Sequence, residues 1–310
     1  MKIEEEIGMK YALQTDGISK YYGRKKVLDN ISITVKRGSI YGIIGMNGSG
    51  KTTFMRILTG LTSATSGSYR LFGSNDLKEG HKRIGSLIEN PGIYKYLTAR
   101  ENLEFFRKLY GIAEKEIVDE LLVKVNIVEA ADKKVNKFSL GMKQRLSIAI
   151  ALLGNPDMLI LDEPINGLDP KGVLEVRQLL LELNDQYGIT ILISSHIISE
   201  LYKLSTDYLI ISKGKFVEQL TKEELEDKVN KCIKVGIAKD DVKRATRILE
   251  INLGIKEYDV LDGNIIRIFE YSDISKVNIA LAKEEVAVKS LMYSGENIEE
   301  YFINRVREDA

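Results

Sequence analysis

The chain has 310 residues, which is enough for about two domains with sizeable hydrophobic cores. Its 45 lysine and arginine residues balance its 45 aspartate and glutamate residues, so no overall basic charge favours nucleic acid, and none is expected as a partner. One cysteine, Cys232, excludes an internal disulfide, and no apolar run approaches the ~20 residues that span a bilayer. Any membrane-spanning segment in a complex with this chain would therefore come from another chain.

The N-terminal part of the sequence predicts antiparallel strands that lead into a buried strand. Apolar and polar residues alternate over residues 11–44, with breaks at Gly23 and at Lys36–Gly38. The last apolar run, Ser39–Ile44, is followed by a glycine-rich segment and then by residues 53–61, which have helical spacing. A strand, a glycine-rich loop and a helix in this order form the context that a phosphate-binding loop requires.

The glycine-rich segment predicts a site for a nucleoside triphosphate. Its glycines allow a tight curl in which successive backbone N–H groups point at phosphate oxygens, and the positive end of the following helix adds to that field. We expect Lys51 to reach the β- and γ-phosphates and the hydroxyl of Thr52 to coordinate Mg²⁺. The predicted nucleotide-binding residues of this loop are Gly45, Asn47, Gly48, Ser49, Gly50, Lys51, Thr52 and Thr53.

Residues 98–153 have a mostly helical pattern, and Thr98 with Glu101 fits a capping box at the start of its first helix. The predicted helices of this stretch cover about 99–110, 114–125 and 140–153. Two short apolar runs of the buried parallel-strand type follow, with a helix between them. The two runs cover residues 157–161 and 190–194, and the helix between them covers residues 172–185. Strands that alternate with helices predict an α/β sheet, and the helical stretch predicts an insertion into it over about 92–153.

Polar side chains follow two of the predicted parallel strands. Asp162 and Glu163 come directly after one strand, and His196 follows the next. Ligands of α/β sheets bind at this end of the strands. We expect Asp162 to hold Mg²⁺ opposite Thr52 and Glu163 to orient or deprotonate the attacking water. His196 is expected to hydrogen-bond the γ-phosphate or that water. The alternatives are solvated acids in a surface turn and a packed or surface histidine. The other histidine, His81, lies in a charged run and is expected at the surface.

The character of the sequence changes after residue 215. Strand, helix, two strands, helix and strand are predicted over 231–292, with a last helix over 298–306. This order is typical of a small α+β domain. The predicted domains are therefore 10–215 and 221–310. The second contains no cluster of chemically active residues, so dimerisation, regulation and contact with a partner remain open roles for it. Cys232 lies in one of its apolar strands and is expected to be buried.

These motifs resemble those of the ATP-binding cassette (ABC) ATPases over about residues 10–215. Phe138–Arg145 is similar to the signature of that family, L-S-G-G-Q, and Asn166–Asp169 is similar to its D-loop. The resemblance implies that Ser139 and Gly141 cap the γ-phosphate bound by the opposite subunit, so that two ATP molecules lie between two nucleotide domains. His196 matches the switch histidine of the family. Tyr22 matches the aromatic residue that stacks on adenine, although a core aromatic of the first hairpin is the alternative.

Two positions depart from the pattern of the family. Glu89 occupies the place of a glutamine that senses Mg²⁺ and contacts the membrane partner, and we therefore place it with Thr52 and Asp162 at the metal. Its charge could slow hydrolysis or change the metal dependence. Leu140 replaces the first glycine of the signature pair, and Met142 its glutamine. Together with the segments 84–89 and 97–103, these departures make the sequence similar to the bacitracin-resistance and lantibiotic-immunity branch of the family. Members of that branch export membrane-active peptides.

The resemblance implies an α/β fold of the P-loop NTPase type, with an antiparallel β subdomain, an inserted helical subdomain and a small C-terminal α+β domain. It also implies an ATPase subunit that uses ATP and Mg²⁺, pairs with a second copy, and drives a separate permease from the cytoplasmic face of the cell membrane. A soluble translation- or repair-associated ABC ATPase is the alternative. Translation-type members carry two cassettes and repair-type members a long coiled coil, and neither is evident in this sequence. A binding module that hardly hydrolyses ATP is disfavoured because both Glu163 and His196 are present.

Overall fold

The computed structural model describes residues 10–89, 92–229, 232–269, 273–294 and 298–308. The chain divides into two compact units, of which the second covers Lys222–Ile303. The first unit holds the residues up to Thr221 and those from Asn304 onward. None of the helices in the described ranges combines the length and the apolar composition that a bilayer crossing requires. Asn90 and Pro91, which are typical of a break between elements, lie outside the described residues.

The described residues of the first unit form one ten-stranded sheet. Its strands are β1 Tyr11–Tyr22, β2 Lys25–Ile31, β3 Thr34–Lys36, β4 Ile40–Ile44, β5 Ser66–Leu71, β6 Ile84–Leu87, β7 Met158–Asp162, β8 Thr190–Ser194, β9 Asp207–Ser212 and β10 Lys215–Thr221. Their order is β3-β1-β2-β10-β9-β4-β8-β7-β6, and β5 pairs with β1. Strands β9, β4, β8, β7 and β6 run parallel, whereas β1 pairs antiparallel with β2, β3 and β5. The predicted α/β sheet with an antiparallel part is confirmed.

The helices of this unit occupy the connections between strands. They are α1 Lys51–Leu58, α2 Leu77–Lys82, α3 Ala99–Leu109, α4 Ile117–Lys124, α5 Leu140–Leu152, α6 Pro170–Tyr187 and α7 Ile198–Leu204. The capping box of α3 is present, because Glu101 N donates to Thr98 Oγ1 at 3.1 Å and Thr98 N donates to Glu101 Oε2 at 2.7 Å. Helices α3, α4 and α5 form the helical insertion between β6 and β7. Every residue of β4, β7 and β8 is buried, as expected for central strands covered on both faces.

Two details of the first unit differ from the sequence prediction. Helix α1 begins at Lys51, earlier than residue 53, directly after Gly50, whose φ of 108° ends the loop. His81 is half-buried: its Nε2 lies 3.1 Å from the hydroxyl of Tyr69, and its ring packs against Gly60. The expectation of a surface histidine is therefore wrong, because α2 turns this residue of a charged run towards β5.

The second unit contains a four-stranded antiparallel sheet in its described residues. Its strands are β11 Cys232–Ile237, β12 Tyr258–Leu261, β13 Ile265–Phe269 and β14 Val288–Ser294, in the order β12-β13-β11-β14. Its helices are α8 Lys222–Val229, α9 Val242–Leu253, α10 Ile274–Lys283 and the first part of α11, Ile298–Glu308. Ile233 and Ile268 of the sheet pack with Leu249 of α9 and Leu281 of α10 in one hydrophobic core. The predicted α+β arrangement is confirmed, and Cys232 is buried as expected.

The last strand begins at Val288, two residues later than the apolar pattern suggests. Val286 is buried, but its backbone N–H donates to Leu281 O at 3.0 Å, which closes the end of α10. Glu285 adopts a left-handed φ of 58° at this point. The buried valine therefore belongs to the termination of the helix and not to the strand.

Candidate nucleotide-binding site

The glycine-rich loop lies at the carboxyl end of β4, which runs parallel to its neighbours β9 and β8. Ser49 N donates to Met46 O at 3.1 Å, which curls the loop, and Asn47 and Gly48 are exposed at its tip. A Cβ at Gly45 would lie 2.4 Å from Ile211 O. At Gly50 it would lie 2.6 Å from Leu28 Cδ2, with φ at 108°. Both glycines are therefore required by the close packing of the loop on its neighbours.

Lys51 is the first residue of α1, and its ammonium group is directed back into the loop. Its Nζ donates to Gly45 O at 2.7 Å and to Met46 O at 3.3 Å, and the side chain is buried. Burial lowers the pKa of Lys51, while the negative charges of Glu163 and Asp162 act in the opposite direction. The lysine is thus held inside the predicted phosphate cradle. Thr53 follows in the first turn of α1 and is half-buried.

The two residues predicted to hold Mg²⁺ on either side of the loop are in direct contact. Thr52 Oγ1 donates to Asp162 Oδ2 at 2.7 Å, and Asp162 is 8% exposed at the end of β7. Both side chains offer oxygen atoms, which are the ligands that Mg²⁺ takes in proteins. This donor set fits the ion, which usually keeps several waters and binds phosphate oxygens as well. Within the described residues no group of three or more His, Cys, Asp and Glu side chains is close enough to form a metal site.

Glu89, the third residue placed at the metal, is paired with a cation. Its Oε1 lies 2.7 Å from an Arg56 guanidinium nitrogen, and its side chain is 57% exposed. Arg56 belongs to α1, so the ion pair joins the end of the β6 segment to the helix that follows the phosphate loop. Glu89 lines the same cleft as Asp162 and Glu163. Its metal role stays a prediction, and the contact with Arg56 is one that the sequence pattern did not reveal.

Glu163 and His196 are brought together by the adjacent ends of β7 and β8. His196 Nδ1 lies 2.8 Å from Glu163 Oε2, and His196 N donates to the same oxygen at 3.3 Å. Glu163 has a left-handed φ of 51°, which is unusual for a residue with a Cβ. Its backbone N–H donates to Ser194 Oγ at 3.0 Å. The carboxylate predicted to activate water is therefore fixed through one of its oxygens. The alternative of two solvated acids in a surface turn does not match this arrangement.

Both acids face a cleft of about 570 Å³ that the helical insertion also lines. Its walls are formed by Glu89, Ile93, Lys95, Val135, Leu140, Lys143, Gln144, Asp162, Glu163 and Asn166. Leu140 is 50% exposed at the first position of α5, directly after the exposed Ser139. The lining includes residues of the two segments that resemble the signature and the D-loop. The cleft therefore joins the strand ends of the sheet to the start of α5.

Ser139 caps its own helix, because its Oγ accepts from Met142 N at 3.2 Å. A Cβ at Gly141 would meet only Gly172 Cα, at an ordinary 3.6 Å. Packing within the described chain thus leaves room for a Cβ at Gly141. No hydrogen bond in the described ranges joins Ser139 or Gly141 to Lys51 or Thr52.

Tyr22 lies at the end of β1, and its side chain is not part of the core. It is 48% exposed, and Lys20 Nζ lies 5.0 Å from the centre of its ring. The alternative of a core aromatic in the first hairpin is therefore wrong. The exposed ring leaves a face on which a base could stack, which keeps the predicted adenine contact as a prediction.

Sequence reasoning missed Ser194, although it lies at the centre of the site. The residue closes an apolar strand and is fully buried. Its only signal in the sequence is a hydroxyl at the carboxyl end of a predicted parallel strand. The register of β7 and β8 pairs it with Asp162, and that pairing could not be read from the sequence.

Comparisons with known proteins agree with this geometry. A family model described as ABC transporter matches residues 28–166. The bacitracin transport ATP-binding protein BcrA of Bacillus licheniformis is 41% identical over 302 residues, which are 96% of this chain and 98% of that protein. The lantibiotic transport ATP-binding protein SrtF of Streptococcus pyogenes is 42% identical over 224 residues, 71% of this chain and 97% of its own.

Solved structures of ATP-binding cassettes have the same fold. A nucleotide-free cassette from an ABC transporter is 28% identical, with a TM-score of 0.63 over 70% of this chain and 94% of its own. A dimeric cassette in a post-hydrolysis state, bound to ADP and phosphate, is 25% identical, with a TM-score of 0.61 over 68% of this chain and 98% of its own. The predicted resemblance is confirmed in sequence and in structure. This chain belongs to the ABC transporter family, among its ATP-binding proteins.

Proposed function

We propose that this protein hydrolyses ATP in an exporter of membrane-active antimicrobial peptides of the bacitracin or lantibiotic kind. The observation that carries this proposal is the contact of Asp162 with Thr52 of α1 and of Glu163 with His196, at the ends of the adjacent strands β7 and β8. The names of the relatives, which are bacitracin and lantibiotic transport proteins, support the class of exported substrate. The chain itself would act with a separate membrane permease, at the cytoplasmic face of the cell membrane.

Different residues of the site bind the nucleotide and activate the attacking water. The loop N–H groups and Lys51 bind the phosphates, and Thr52 and Asp162 would hold Mg²⁺, which neutralises phosphate charge when it is bound. Glu163 orients a water and accepts its proton, the water oxygen bonds to the γ-phosphorus, and the bond to the bridging oxygen of ADP breaks. His196 holds the carboxylate of Glu163 in place through its Nδ1. Tyr22 contributes a stacking surface for the base.

A second copy of this chain would complete the site. The start of α5, with the exposed Ser139 and with Gly141, offers N–H groups and a helix N-terminus to the γ-phosphate held by the partner. The dimeric state of a solved cassette supports this arrangement. ATP would therefore hold two chains together, and hydrolysis would release them and move the permease between its states.

Glu163→Gln tests the chemistry. We expect purified wild-type protein to hydrolyse ATP only with Mg²⁺, and the variant to lose turnover and accumulate as an ATP-bound dimer in sedimentation velocity. Glu79→Gln is a matched control, because Glu79 is an exposed acid on α2 that pairs with Lys82 outside the cleft. Turnover equal to that of the wild type in Glu163→Gln would remove the proposed role of this residue.

Peptide resistance tests the biological role. The chain is expressed in a sensitive bacterium together with the reading frames that flank its gene, and inhibitory concentrations of bacitracin and of a lantibiotic are measured. We expect resistance to at least one peptide with the wild type and none with Glu163→Gln. Resistance to neither peptide with an active wild-type ATPase would refute the export role while leaving the ATPase assignment in place.

A further inference from the structure

Ser194 connects the two acids of the site through a single hydroxyl group. Its Oγ donates to Asp162 Oδ1 at 2.5 Å and accepts from Glu163 N at 3.0 Å. The residue is 0% exposed, and the register of β7 and β8 places it directly opposite Asp162. No role for this residue followed from the motifs.

The bond to Asp162 fixes the orientation of that carboxylate. Its Oδ2 accepts from Thr52 and its Oδ1 from Ser194, so both oxygens are held and the group cannot rotate without losing a bond. Hydrogen bonds to a charged acceptor in a buried place are short and strong. Without the hydroxyl, Oδ1 would be a buried acceptor with no partner from β8, and the carboxylate would be free to turn away from Thr52.

The bond to Glu163 stabilises an unusual backbone. Glu163 has a left-handed φ of 51°, its side chain contacts His196, and its partly buried N–H needs an acceptor. Ser194 Oγ is that acceptor. The neighbouring Ser195 has a different task, because its Oγ accepts from Ile197 N at 3.0 Å and shapes the turn into α7.

We infer that Ser194 is a positioning residue for ATP hydrolysis. It acts on the metal through Asp162 and on the attacking water through Glu163. The inference rests on the proposed ATPase function. One buried hydroxyl sets the direction of both carboxylates relative to Thr52 and His196. Its loss should therefore weaken metal binding and turnover together, while binding of metal-free ATP, which depends on the loop and Lys51, should be preserved.

A pair of variants with the same shape isolates the hydroxyl. Ser194→Thr keeps it and Ser194→Val replaces it by a methyl group, and both β-branched residues suit a strand. Binding of Mn²⁺ to the ATP-loaded protein is measured by electron paramagnetic resonance. A phosphate-release assay with Mg²⁺ gives kcat and KM. Metal-free ATP binding in the presence of a chelator reports on the intact loop. Ser205→Ala is the control, because Ser205 is also buried and its hydroxyl has no partner in the described chain.

We expect Ser194→Val to bind Mn²⁺ about tenfold or more weakly and to lose kcat by a similar factor, since each lost bond involves a charged or buried partner. Ser194→Thr should retain most of both, and all variants should bind metal-free ATP. Equal metal affinity and kcat in the threonine and valine variants would overturn the inference. Weak metal binding in Ser205→Ala would overturn it as well, because any buried serine would then matter. Absence of Mg²⁺-dependent hydrolysis in the wild type would instead remove the proposed function.

Discussion

Replacing His196 by alanine removes one of two hydrogen bonds that hold the carboxylate of Glu163. The contact of 2.8 Å between Nδ1 and Oε2 is lost, whereas the backbone N–H of residue 196 stays 3.3 Å from the same oxygen. A hydrogen bond to a charged group contributes about 1.5–3 kcal/mol. The His196 side chain is 47% exposed and that of Glu163 24%, so water partly screens the pair and the lower value applies. About 1.5 kcal/mol corresponds to a roughly tenfold lower kcat.

The assay separates this effect from binding. Steady-state phosphate release at saturating Mg²⁺ and ATP measures kcat, and a fluorescent ATP analogue measures nucleotide affinity. We expect kcat to fall in His196→Ala and nucleotide affinity to stay unchanged, because Lys51 and the loop do not depend on the imidazole. His196→Asn should recover part of the loss, since its amide N–H can take the place of Nδ1–H.

The other histidine of the chain provides the control. His81 contacts Tyr69 and Gly60 and lies outside the cleft, so His81→Ala should leave kcat per folded molecule unchanged. A kcat of His196→Ala equal to that of the wild type would refute the reasoning, and so would an equal loss in both alanine variants.

Three further predictions concern stacking on the adenine base, the ATP-bound dimer, and Glu89, which takes the place of a glutamine. Tyr22→Ala should weaken ATP binding more than it lowers kcat, because its exposed ring contacts no catalytic group; unchanged affinity in a binding titration would exclude stacking. Gly141→Ala should fold, as its urea midpoint should show, because a Cβ at this position meets only Gly172 Cα, at an ordinary 3.6 Å, within one chain. The added methyl group should nevertheless weaken the ATP-bound dimer of the Glu163→Gln background in sedimentation velocity. Glu89→Gln should change the free energy of unfolding by less than about 1 kcal/mol, since the ion pair of Glu89 with Arg56 is exposed. The variant should also raise kcat, because it removes a negative charge near the phosphates. A kcat at or below that of the wild type would contradict this.

Predictions from sequence succeeded where the residues that form a feature lie close together in the chain. The loop Gly45–Thr52 could be recognised because a buried strand, glycines with special φ and a helix start all lie within a few residues. The capping box of α3 has the same character, since its two bonds join residues three apart. The α+β order of the second unit also followed from period-two and helical patterns, with errors of a few residues at element ends such as Val286.

Local sequence was therefore sufficient to predict the elements, the phosphate loop, and the acids and histidine that follow neighbouring strands. How these groups meet depends on long-range packing in the folded chain. Ser194 bonds to Asp162 across 32 residues of sequence and Arg56 to Glu89 across 33, and each contact depends on strand register or helix orientation. Such pairings arise from packing of buried faces, which fixes register through the whole core and leaves no trace in any short stretch of sequence.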